Sequence, residues 1–201
     1  MPHYSKSIRQ LEAEGLEFLR LASILAVAPI PVNFASEVFE LLGVGGTAKR
    51  YSLEAVNQVQ ALSLCERSGE EARIVHTLVS RTMRFQFPEE ERTIKLRSAA
   101  VQALTQRLAR IRHIGEYSEI ATEMPHARHL VTINLQTEME AKLGLWVAHR
   151  DYERADCSSA RQLQQYVLAA TRQLLGHRHP DTLTAMNNLA LTLSINDPPF
   201  D

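Results

Sequence analysis

The side chains able to do chemistry in this sequence are few and far apart. Cys65 would need a base to act as a nucleophile, and the base within local reach is His76, with no third group placed to orient it. His126 and His129 stand three apart and so share one helical face, but a zinc site asks for three or four ligands and no further ligand adjoins them. His177 and His179 sit in a turn between helices, where a polar residue satisfies a helix end without binding anything. Arg107, Arg110 and Arg112 with His113 form the densest basic cluster, while Lys95 and Arg97 are balanced by Glu89, Glu90 and Glu91, and the whole reads as a solvated helix face. No G-x-x-x-x-G-K-[ST] occurs, and Gly43-Val-Gly-Gly46 lacks the lysine and hydroxyl that hold phosphate and magnesium. The expectation is a chain that is not an enzyme and carries no metal and no cofactor of its own. Trp146 and Tyr152 are the candidates for partner binding: packed between helices they are structural, and exposed on a concave face they become anchors.

Composition sets the frame for those residues. With 201 residues and 45% hydrophobic content the chain can bury one large core or two small ones. Basic and acidic residues number 22 and 23, a formal charge of -1, so no global field would hold a nucleic acid. Cys65 and Cys157 lie 92 residues apart with no paired spacing, the usage of a reducing compartment. The longest apolar run, 21–32, is broken by Ser23, Pro29 and Pro31 and falls short of the ~20 residues a bilayer requires. Acids precede it where a secretory signal would be basic. A cytoplasmic protein without a membrane segment is expected.

Hydrophobic periodicity supplies the elements that must hold these groups. Residues 7–28 predict one long helix ended by Pro29; Ile30-Pro31-Val32 is an extended connector; Asn33 can cap a second helix and Ser52 a third. Two β-like runs in 64–75 around Ser68-Gly69-Glu70-Glu71 predict a hairpin, the one strand candidate. Helices are then predicted over 77–87, 89–112, 116–130, 134–149, 151–175 and 181–194. Short polar turns between them require antiparallel packing. The fold class expected is mainly α with one short β-hairpin.

Two resemblances follow from particular residues. Ala160-Arg-Gln-Leu163-Gln-Gln-Tyr166-Val-Leu168, continuing through Leu174-Leu-Gly176-His-Arg-His179-Pro180-Asp181-Thr-Leu183 to Asn187-Asn188-Leu189-Ala190, resembles the tetratricopeptide repeats of kinesin light chains and their bacterial relatives. A weaker copy, Leu143-Gly-Leu145-Trp146-Val147 with Asp151-Tyr152-Glu-Arg-Ala155, precedes it; Gly144 aligns with Ala190 at a separation of 46, against about 34 for a standard repeat. The difference is assigned to a longer helix and an insertion near 156–159, and the last repeat is read as incomplete. The N-terminal half, through 16–26 with Ile30-Pro31, the 64–75 hairpin, and Val75-His76-Thr77-Leu78-Val79 followed by Arg84, is similar to the winged-helix module of STAND signalling ATPases with an NB-ARC domain. Met124-Pro125-His126-Ala127 resembles the helix leading into the repeats of such proteins.

These resemblances imply a winged-helix-like domain over 1–87, connecting helices over 88–133 and antiparallel helical hairpins of a TPR-type solenoid over 134–201. They also imply a role: a scaffold or regulatory fragment that binds a protein or peptide along its helices. By the same resemblance His76 stands where a Met-His-Asp motif contacts nucleotide phosphate, with Val75 and Thr77 in place of the methionine and aspartate, so it could sense phosphate only beside a separate ATPase domain. The alternative is a winged-helix regulator that binds DNA, disfavoured by a mixed-charge wing at 67–73 and by the absence of Lys or Arg from 52–62. Oligomeric state is left open.

Overall fold

The computed structural model describes residues 3–44, 48–86, 88, 90–111 and 114–196. The expected mainly α fold with a short hairpin is what it shows: among the described residues there are ten α-helices and one small antiparallel sheet. Calls that fall on Gly45, Gly46, Phe87, Glu89, Arg112, His113 and 197–201 lie outside the described residues. The chain divides into two compact units, Met1–Ala103 and Leu104–Asp201.

In the first unit, the apolar stretch expected to form one helix over 7–28 is two, α1 (His3–Ile8) and α2 (Ala13–Ile24). The break at 9–12 exposes the first-turn N–H of Gly15, which donates to the Gln58 side chain at 3.2 Å, while Gln58 donates to Glu12 at 3.1 Å. Gly15 leaves room for that contact: a Cβ there would lie 2.8 Å from Gln58 Oε1 and would push the amide aside. Ile30–Pro31 is not a connector but strand β1, and it adds a third strand to the hairpin of β2 (Cys65–Ser68) and β3 (Ala72–Val75), in the order β1-β3-β2. Ile30 pairs with Arg73 and Cys65 with Val75, and Pro31 is tolerated because β1 is an edge.

That pairing also fixes the next helix. The Val32 N–H donates to the Glu71 carbonyl at 2.8 Å, so α3 (Val32–Leu41) starts at once, and Asn33 does not cap it. Ser52 does not cap α4 (Ala48–Ala61) either: it lies inside the helix, fully buried, its hydroxyl donating to the Ala48 carbonyl at 2.7 Å. Helices α2, α3, α4 and α5 (Thr77–Gln86) enclose Phe18, Leu21, Phe34, Phe39, Val56 and Met83, and Tyr51 meets the Phe39 ring edge-on at 5.2 Å. Arg92, in the first part of α6 (Glu90–Arg110), donates to the buried Glu17 at 2.7 Å.

Among the described residues the second unit contains the end of α6 and then helices alone. The helix expected over 116–130 is a 3₁₀ turn, Ile114–Ile120, followed by α7 (Met124–Ile133), because Pro125 has no N–H to give a helix interior and so starts a new one. The boundaries expected at 134, 149 and 151 also move. Helix α8 (Glu138–Glu153) begins at a full capping box of Thr137 and Glu140, and α9 (Cys157–Leu175) begins where the Asp156 carboxylate accepts the Ser159 N–H at 3.1 Å. Ala155, at φ 60°, makes the turn between them, so 156–159 is a cap and first turn, and Asp151 and Tyr152 belong to α8.

Helix α10 (Pro180–Asn196) follows a turn fixed by four of its residues. Gly176 takes φ 88° at the end of α9, the His179 ring accepts the Asp181 N–H at 3.2 Å, Pro180 opens the helix, and the Thr182 hydroxyl donates to the Gly176 carbonyl at 2.8 Å. Helix α9 packs against both α8 and α10. It reaches α8 closely because Gly144 has no side chain: a Cβ there would lie 2.7 Å from Val167 Cγ2. Short turns make each neighbour antiparallel, so α8 and α10 run side by side in the same sense. No helix of the described residues is long and apolar enough to cross a membrane.

Candidate peptide-binding groove

The turn spacing of α8 brings Lys142, Leu145, Trp146 and His149 onto one face, positions i, i+3, i+4 and i+7. Asp181, Thr184 and Asn188 do the same on α10, and the two rows line an open groove of about 270 Å³. Its lining combines the aromatic and aliphatic Trp146 and Leu145 with Lys142 from α8 and Asp181 from α10, and Asn188 offers an amide that can both donate and accept. Clefts that bury a whole small molecule run to about 300–1,000 Å³, so this space suits one or two side chains of a longer ligand.

Trp146 is held from behind. The guanidinium of Arg150, 2% exposed, lies 5.2 Å from the Trp146 ring and 5.6 Å from the Tyr117 ring. Arg150 is itself fixed: it donates to Glu153 at 2.6 Å and to the carbonyls of Leu108 at 2.9 Å and Ile111 at 2.7 Å. Those carbonyls close the end of α6, where no intrahelical donor remains and a cation is favoured. Burial works to raise the Glu153 carboxyl, but hydrogen bonds from Tyr117 and Arg150 outweigh it and hold the group below its usual range. The Tyr117 hydroxyl is pushed up by burial and by its bond to Glu153. On the groove side the His149 ring stands edge-on to Trp146 at 6.2 Å and places Nε2 3.4 Å from Glu153.

Of the residues singled out from sequence, Trp146 reaches the groove. Tyr152 is half-buried on the same helix and is not among the groove-lining residues. His76 is in the first unit, between β3 and α5; its N–H donates to Leu64 and its carbonyl accepts from Val79 and Ser80, while Nε2 lies 3.7 Å from Glu66. Burial pushes the Cys65 thiol up to about 11, so it stays protonated at neutral pH. Neither residue forms a reactive pair. His126 is buried in α7, His129 is half-buried, and among the described residues no group of three or more potential ligands could hold a metal.

Sequence reasoning missed Arg150, Lys142 and the groove face of α10. The signal for the groove was present: matching i, i+3, i+7 rows on two helices that flank a third. The local pairings of Arg150 with Glu153 and Trp146 are ordinary for a helix surface, and nothing local marked it as buried, because the carbonyls that fix it are 39 and 42 positions away. No family of known proteins, no curated protein and no solved structure matches this chain.

Proposed function

We propose that the second unit is a tetratricopeptide-type helical array and that it acts by recognition, docking an extended segment of a partner protein in the groove between α8 and α10. The observation that carries this reading is the pre-positioned Trp146, whose ring is fixed by Arg150 on a surface open to solvent on its other side. A fixed aromatic costs little entropy on binding, and buried aromatics carry much of the energy of protein interfaces. The test is display selection of peptides on the full chain, followed by affinity measurement. Asn188→Ala and Lys142→Glu, both at the groove surface, should each weaken binding by about 1 kcal/mol or more without loss of helicity. Selected peptides indifferent to both substitutions would refute the groove.

For the first unit we propose a winged-helix module, supported by α3 and α4 lying between strand β1 and the β2–β3 hairpin of the three-stranded sheet. A DNA-binding role for it gains one feature: α4 extends back to Ala48 and so presents Lys49 and Arg50. Against this, Arg50 is paired with Glu54 at 2.8 Å and the wing carries Glu70 and Glu71. Duplex DNA binding that falls with salt would establish that role. Phosphate sensing by His76, which requires a separate ATPase chain, must contend with the Glu66 carboxylate beside its ring. Nucleotide binding measured with and without a P-loop partner tests it.

A further inference from the structure

We propose that two copies of this chain associate through α10, the helices antiparallel about a two-fold axis near the middle of that helix. Leu183, Met186, Asn187, Ala190, Leu191 and Ser194 recur at i, i+3, i+4, i+7, i+8 and i+11, and all six are exposed, with Leu183 at 52% and Leu191 at 47%. They therefore form one continuous stripe, and the stripe has no cover among the described residues. The repeat alignment shows what such a face is for. At the 46-residue offset, Glu140, Ala141, Gly144 and Ala148, buried in α8, correspond to Met186, Asn187, Ala190 and Ser194 in α10, which are bare.

The choice of a second copy rests on charge and on shape. Residues 182–196 contain no charged side chain, so two such helices can lie antiparallel with no like charges opposed and with opposed helix dipoles. Ala190 allows close approach, and a two-fold axis at the middle of the stripe sets Met186 against Leu191 and Asn187 against Ala190 of the second copy. Asn187 is the polar group of the stripe; an amide pairs with its own kind, donor to acceptor, and fixes the register. Such an interface is isologous and closes at two. The centre of the groove row Asp181, Thr184 and Asn188 lies about a third of a turn around the helix from the centre of the stripe, with Thr184 and Leu191 meeting at the shared edge.

One helix face per copy buries less than the ~1,200 Å² of a standard interface, so micromolar association is expected. Sedimentation equilibrium of the full chain should show the mass rising from 22.7 kDa toward twice that value over the micromolar range. Leu183→Glu and Leu191→Glu, at exposed positions, should each weaken the dimer on the order of a hundredfold while leaving circular dichroism unchanged. Asn187→Cys should form a symmetric disulfide-linked dimer under mild oxidation. A 22.7 kDa monomer at every concentration, a dimer indifferent to both glutamates, or assembly beyond two copies would overturn the proposal.

Discussion

The two units bury different things. The first closes around aromatic and branched side chains, with Phe18, Phe34, Phe39 and Val56 fully buried among four helices. The second buries ionic contacts among its helices: Arg107 on Glu123, Arg128 on Asp151, and Arg150 on Glu153 and the end of α6. The first unit also holds the buried Glu17 against Arg92, but most of its core is apolar, and an apolar core holds its members by burial and tolerates exchanges of similar volume. Buried charge tolerates no such exchange unless every partner leaves together, and in return it sets orientation. The lesson is that the second unit spends stability on aiming surfaces, with Trp146 as the side chain aimed, whereas the first spends its apolar residues on cohesion.

The largest effect that could break this contrast is at Arg150. Arg150→Met keeps bulk but strands two buried helix-end carbonyls and takes one partner from Glu153, and should cost the second unit about 3 kcal/mol; urea unfolding followed by the fluorescence of Trp146, the single tryptophan, reads that unit. A loss under about 1 kcal/mol would mean that ionic contacts do not organise it. Next is the paired comparison of Gly144 and Ala190. Gly144→Val should destabilise by about 1–3 kcal/mol through the clash with Val167, while Ala190→Val, at the aligned but exposed site, should stay within about 0.5 kcal/mol. Smaller again is Thr137→Ala, which removes one arm of the α8 capping box and should cost about 1 kcal/mol in thermal unfolding.

The smallest effect is a pH dependence with a definite sign. Burial raises the Asp151 carboxyl above its ordinary 3.8, in spite of Arg128. The folded state therefore holds this proton more tightly than the unfolded state, so the contribution of Asp151 is fully present below 3.8 and declines as pH rises through the raised value. Chemical denaturation of the parent and Asp151→Asn across the acid range should show the difference moving in the variant's favour as pH rises. Movement the other way would make Arg128 the dominant influence.

What could be read from the sequence was what is local. The 64–75 hairpin was legible because Gly69 and polar neighbours separate two short runs, and the turn at 176–182 because glycine, histidine, proline and threonine each act within six residues. Boundaries failed where a distant partner decided them: Glu71 starts α3, Gln58 receives the first turn of α2, and the burial of Ser52 carries α4 back to Ala48. The groove failed for the same reason. Trp146 was named from its type, but the residue that fixes it is tied to α6 by contacts that no periodicity encodes.

The most direct test of the docking role is photo-crosslinking of a display-selected peptide to the full chain carrying benzoylphenylalanine in place of Leu145, on the groove, or Tyr166, which lines a separate surface with Arg128 and Thr132. Crosslinks from position 145, competed by unlabelled peptide and absent from 166, are the predicted result. Equal labelling at both positions, or labelling at 166 alone, would contradict it.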